Sequence, residues 1–240
     1  LVNTYINEKE FLNNLFFKKQ SSSFFNQNID FDKIVHFSSS HLMLPSMYSK
    51  LKEKNQLKYI PQELEKYLSK IYKMNHKRNM SLVNEIKEIS SLFREKKINH
   101  VFIKGSANII SGLYTNIGDR MVGDIDILVH KNDLEQAYKI LNLEGYFKLK
   151  NSFITTRHLH RIINKNKLFA IELHKSLFDN EKVLKTKEIL EKKVYVNEVY
   201  IPCETDRFYN NIYNYQINDE GYAKLSYSYK CIYDYFLLKN

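Results

Sequence analysis

The chain has 240 residues, 43% of them hydrophobic, and a formal net charge of +10. That apolar share excludes wholesale disorder, and no stretch nears the roughly 20 apolar residues that a membrane-spanning helix needs. The positive charge invites a nucleic-acid reading. However, only six of the 37 basic residues are Arg, the residue suited to bidentate and stacked contacts with bases. Abundant Lys, Asn, Ile and Tyr instead fit AT-rich coding sequence, so a dedicated nucleic-acid module is not the expectation.

Cys203 and Cys231 have neither zinc spacing nor a disulfide framework, which points to the reducing cytoplasm. The start, Leu1-Val2-Asn3-Thr4, lacks an initiator Met and a signal-peptide pattern. The other end, Tyr233 to Asn240, stops inside a helical pattern. Both ends suggest a fragment.

Three regions follow in chain order. Residues 1–98 read as helical. Pro61 opens one helical pattern through Leu64, Tyr67, Leu68 and Ile71, as proline favours a first turn. A second runs through Leu82, Val83, Ile86, Ile89, Leu92 and Phe93, with Ser81 as its N-cap. The serines at 21–23 and 38–40 read as loop or cap material.

Residues 99–200 form the expected core. Val101-Phe102-Ile103 is a short buried strand ended by a turn at Lys104-Gly105-Ser106. Ala107 to Tyr114 suits a short helix. Asp124-Ile125-Asp126-Ile127-Leu128-Val129 reads as a half-buried strand running into the core. A helix from about Asn132 to Leu143 stops at Gly145. Strand-like stretches follow at 146–154, 159–163 and 168–174, and one more from Val194 to Tyr200. Residues 201–240, rich in Tyr, read as helical again and as truncated.

The glycines mark the place to look. There are six in the chain, below the roughly 7% of average proteins, and four of them (Gly105, Gly112, Gly118, Gly123) fall between the first two strands. That window ends at Asp124 and Asp126. Two positions apart on a strand, these carboxylates share a face, and they repel each other unless a cation lies between them. Oxygen ligands favour Mg²⁺ or Mn²⁺. Gly105-Ser106, between a buried strand and a helix, suits backbone N–H contacts to phosphate, and the Ser106 hydroxyl is a candidate donor to it. Lys104 by its charge and Arg120 by its fork are further phosphate candidates. Glu172, in Leu168-Phe169-Ala170-Ile171-Glu172-Leu173-His174, shares a face with His174. His158, His160 and Arg161 form a polar cluster, and His160 and His174 are the candidates for the acceptor side.

Ile103-Lys104-Gly105-Ser106, then Arg120, Asp124-Ile125-Asp126-Ile127 and Ile171-Glu172-Leu173-His174, together resemble the nucleotidyltransferase superfamily of the DNA polymerase β type. Within it they resemble the bacterial family of uncharacterised nucleotidyltransferases. The likeness covers roughly residues 95–180. It implies an α+β fold, a small mixed β-sheet with helices on one side, flanked by N-terminal and C-terminal helices. It also implies Asp124, Asp126 and Glu172 as catalytic metal ligands. The gap from Gly105-Ser106 to Asp124 is longer than the superfamily's usual spacing, and Glu stands where Asp is commoner as third carboxylate.

The reaction expected is Mg²⁺- or Mn²⁺-dependent transfer of a nucleoside monophosphate from an NTP, ATP first, to an acceptor hydroxyl, with release of pyrophosphate. The acceptor, whether small molecule, protein or RNA, is left open. Two alternatives stand beside it: a non-catalytic regulatory or binding module on the same fold, and a D-x-D glycosyltransferase. The second fits less well, because ninety-odd helical residues precede the motif where such enzymes place alternating strands and helices.

Overall fold

The computed structural model describes residues 6–18 and 22–239. The first four residues, Ser21 and Asn240, on which some of the expectations above fall, lie outside them.

Four helices lead the chain: α1 (Glu8–Phe16), α2 (Phe31–Ser40), α3 (Leu44–Glu53) and α4 (Gln62–Glu95). The two helical patterns after Pro61 are one 34-residue helix. No Gly or Pro interrupts it, and Ser81, expected as a cap, lies inside it with its hydroxyl turned back to the Lys77 carbonyl at 3.4 Å. Pro61 is the N-cap, and Glu63 and Glu65 face the positive end of the helix dipole. At the far end Lys97 takes a left-handed φ of 58°. Its N–H reaches Arg94 O at 3.0 Å and the Ile98 N–H reaches Phe93 O at 2.8 Å, the Schellman closure. Ser38 to Ser40 are also helical, forming the last turn of α2.

The core alternates strands and helices: β1 (His100–Phe102), α5 (Lys104–Ile110), β2 (Ile125–Val129), α6 (Leu134–Leu143), β3 (Phe147–Lys148), β4 (Ile162–Ile163) and β5 (Ile171–His174). The strands form one five-stranded sheet in the order β1-β2-β5-β4-β3. β2 and β5 run parallel and the remaining pairs antiparallel, so the sheet is mixed, as expected. After α7 (Thr186–Glu191), the single strand expected at 194–200 is a hairpin of β6 (Val194–Val196) and β7 (Val199–Ile201). Asn197 and Glu198 both hold positive φ in its two-residue turn, a conformation that Glu rarely signals. Helices α8 (Glu204–Tyr213) and α9 (Tyr229–Lys239) close the chain. Among the described residues no helix is long and apolar enough to cross a membrane.

The two faces of the sheet differ. Phe102, Ile125, Ile127, Val129, Ile171 and Leu173 pack with Leu82, Ile86, Ile89 and Phe93 of α4 and with α6. Val101 and Leu128, on the opposite face, pack with Leu177, Phe178 and residues of α7. Helices therefore lie on both faces, not one. A second core joins α1, α2, α3 and the first turns of α4 to Tyr114, Tyr229 and Tyr233. Those tyrosines are packing residues.

Candidate active site

Strand register brings the acidic residues together. On the parallel pair β2–β5, Asp126 lies opposite Glu172 and Leu128 opposite His174. Alternation then puts Asp126, Glu172 and His174 on the same face as Leu128, beyond the end of its apolar cluster. All three are buried, at 8%, 6% and 1% exposure. One ligand atom from each falls within 4.8 Å of the other two, so the group has the dimensions of a cation site. His174, expected on the acceptor side, touches both of these acids. Its Nε2 is 2.8 Å from Asp126 Oδ1 and 3.3 Å from Glu172 Oε2. A nitrogen shared by two carboxylates carries the hydrogen.

The cluster is neutralised from two sides. The Lys104 ammonium donates to Asp126 Oδ1 at 2.8 Å. Burial works against the charge on both partners, but their attraction outweighs it, so Lys104 is raised and Asp126 held far below the usual carboxylate range. Lys104 does this from a strained backbone, φ +55° at the first position of α5, which costs a side-chain-bearing residue roughly 1–2 kcal/mol. On the other side Arg161 spans two carboxylates, with Nε 2.6 Å from Glu172 Oε1 and a terminal nitrogen 3.1 Å from Asp124 Oδ2. Burial raises Glu172, yet the hydrogen bonds from His174 and Arg161 outweigh it and hold its carboxyl at about 2.

Asp124 stands one residue before β2 and is the most exposed of the acids, its side chain 28% accessible. Burial raises its pKa, with Arg161 opposing. Of the trio expected to hold metal, Asp126 and Glu172 therefore meet directly with His174, and Asp124 is tied to them through Arg161.

The phosphate candidates separate. Lys104 and Gly105 line a cleft together with Asp124 and Asp126. At Gly105 a Cβ would meet Val122 Cγ2 at 3.2 Å, so glycine lets the loop before β2 lie against α5. Ser106 differs from expectation: it is fully buried, and its Oγ has no hydrogen-bond partner and does not line the cleft. The Arg120 guanidinium, expected at a phosphate, is buried and committed to Asp234 on α9. His160 is anchored at 2.7 Å to the Ser152 carbonyl. It is His158 whose ring packs against His174, 5.2 Å between centroids.

Helix α4 shapes the loop that carries Asp124. Asn75 Nδ2 donates to Gly118 O at 2.7 Å, Asn79 Nδ2 to Ile117 O at 2.6 Å and Arg120 O at 2.8 Å, and Arg78 to the carbonyls of Val122 and Gly123. The polar stretch that separates the two helical patterns in the sequence is thus a row of donors for a loop with few backbone partners of its own. Sequence reasoning missed these residues. Three amide or guanidinium side chains on one helix face were the available signal.

A family model described as uncharacterised nucleotidyltransferase matches residues 27–214. The chain belongs to that family. The match reaches from the N-terminal helices to the end of α8, well beyond the stretch that carries the motifs. Membership makes the protein a transferase of the nucleotidyl class with a mixed-sheet core, and implies a nucleotide substrate. Among curated proteins, no relative matches the chain.

The donor set suits a divalent cation. The two carboxylates offer oxygen ligands, and the His174 nitrogen joins them once its hydrogen is displaced. The convergence of Lys104 and His174 on one oxygen of Asp126 marks the point where positive charge is required.

Proposed function

We propose that the protein transfers a nucleoside monophosphate from an NTP, ATP first, to an acceptor hydroxyl and releases pyrophosphate. The observation that carries this reading is the register of Asp126 with Glu172 beside a cleft whose edge holds Asp124. Asp126 and Glu172, with Asp124 and His174, are the residues to hold a divalent cation. Bound there, such a cation neutralises phosphate charge and acts as a Lewis acid.

The chain's own groups do the rest. In the transfer, the acceptor oxygen forms a bond to the α-phosphorus as the bond to the β-bridging oxygen breaks, and pyrophosphate leaves with that electron pair. The acceptor proton passes to a carboxylate oxygen of Asp124 or Glu172. Lys104, which a cation bound at Asp126 would free from its ion pair, lines the cleft and is placed to meet phosphate charge. Arg161 fixes the orientation of both acids it spans. Positioning and charge neutralisation carry most of the burden in phosphoryl-type transfer.

The test is incubation with α-³²P-labelled NTPs, Mg²⁺ and cell lysate, followed by fractionation into small molecules, proteins and RNA. One fraction gains label with the parent protein and not with Asp126→Asn. Equal labelling by that variant, or none by the parent with any of the four NTPs, overturns the reading.

A further inference from the structure

The cleft has a second wall, made by α8 and α9. Arg207, Asn210 and Asn211 recur at helical spacing, so one face of α8 lines the cleft, with Asn214 just past its end and Lys230 of α9 beside them. This inward face is polar where a packing face is apolar. The Asn211 amide donates to Cys231 O at 2.9 Å, which ties the two helices together at this point.

The charges on this wall are unspent. Among the described residues no carboxylate lies within 4.0 Å of the Arg207 guanidinium or the Lys230 ammonium. Arg207 makes one side-chain bond, from a terminal nitrogen to Ser111 Oγ at 2.7 Å, and its Nε is buried without a partner. Burial lowers the pKa of both groups, with Glu204 opposing at Arg207 and the Arg120 charge adding to the lowering at Lys230. The acids nearby do not fill the gap. Asp234 is taken by Arg120 and Tyr114, and Asp219, itself raised by burial, forms no ion pair. Asn210 adds an independent sign: it is 95% buried on this wall (5% exposed), and its Oδ1 has no donor.

We propose that Arg207 and Lys230 form an anion subsite that takes the terminal phosphates of the nucleoside triphosphate, opposite the acidic cluster. This rests on the nucleotidyl-transfer reading above. An oligophosphate is the anion that fits, because a cation site on one wall and two unpaired basic groups on the other suit a ligand with several charged groups in a row. Guanidinium and ammonium hold the leaving pyrophosphate as its charge grows. Asn210 Oδ1 accepts from a hydroxyl or amine hydrogen, which the sugar and base of a nucleotide supply.

The test uses inorganic tripolyphosphate as probe, titrated calorimetrically without divalent cation into the full chain. The parent binds it. Arg207→Gln and Lys230→Gln each weaken binding about tenfold or more, as loss of a charge-assisted contact predicts. Lys230→Arg, which keeps the charge, stays within about threefold of the parent, and unchanged melting curves separate lost binding from lost folding. No binding by the parent, or equal binding by both glutamine variants, overturns the subsite. The outcomes are separable from the proposed activity: tripolyphosphate binding through these residues without nucleotide transfer keeps the subsite and overturns the activity. Transfer that is indifferent to both substitutions does the reverse.

Discussion

Arg120 and Asp234, 114 residues apart in the chain, form a buried bidentate ion pair: Nε to Oδ1 at 2.9 Å and a terminal nitrogen to Oδ2 at 2.7 Å. The Tyr114 hydroxyl donates to the same carboxylate. The pair bolts the loop before β2 to helix α9. Removing one partner leaves a charge stranded out of water, so Asp234→Ala should cost about 3–5 kcal/mol in urea unfolding. The double change Arg120→Met with Asp234→Leu should recover most of that loss. A cost under about 1 kcal/mol for the single variant would show that Arg120 finds solvent or another acceptor.

Asp119 predicts a pH dependence. Burial raises its carboxyl from 3.8 to about 7, only partly offset by a hydrogen bond from Ser49. The folded state thus binds this proton more tightly than the unfolded state. Stability is lost as pH rises from about 3.8 to 7 and levels off above that, by up to roughly 4 kcal/mol. Asp119→Asn should therefore melt higher than the parent at pH 8, with an advantage that shrinks steadily towards pH 4. A melting difference that is the same at both pH values sinks the assignment.

Asn79 is wholly buried and feeds the carbonyls of Ile117 and Arg120. Asn79→Leu leaves both acceptors without that donor, at about 1–3 kcal/mol. Hydrogen exchange should quicken at the amides of residues 117–123 while β2 stays protected. Uniform change along the chain would mean that Asn79 serves general packing rather than this loop.

Cation binding should rank the acids. Asp126 makes contact with both Lys104 and His174, whereas Asp124 is tied through Arg161. Followed by Mn²⁺ electron paramagnetic resonance, Asp126→Asn should abolish binding, and Asp124→Asn, which removes the more exposed of the two ligands, weaken it about tenfold. EDTA should return the parent to its cation-free melting temperature. If Asp124→Asn proves the more damaging change, the cation lies nearer the cleft than the buried trio indicates.

Much of this was readable beforehand, because local patterns reported local structure. The alternation around Asp126 marked β2, and the Ile-Glu-Leu-His run marked β5. The parity of those strands put Asp126, Glu172 and His174 on matching faces. What the residues alone did not carry was partnership across distance. Nothing near Arg120 announces Asp234, and nothing near Arg161 says it spans two acids rather than lining an acceptor pocket. Ser81 looked like a cap because capping residues also occur inside helices when no breaker stands beside them. The Asn197–Glu198 turn was missed because glycine is the usual signal for its positive φ. The second wall of the cleft carries no motif at all: Arg207, Asn210 and Lys230 matter through the helix faces on which they fall.

Helix α4 reaches about 51 Å at 1.5 Å per residue. Leu68 near one end belongs to the core of the leading helices, while Leu82 to Phe93 near the other wall the sheet. One rod set in two oily layers also carries, at Asn75 to Asn79, the donors beneath the loop that ends in Asp124. A substitution that shifts the leading helices should therefore displace that loop without altering any side chain in it.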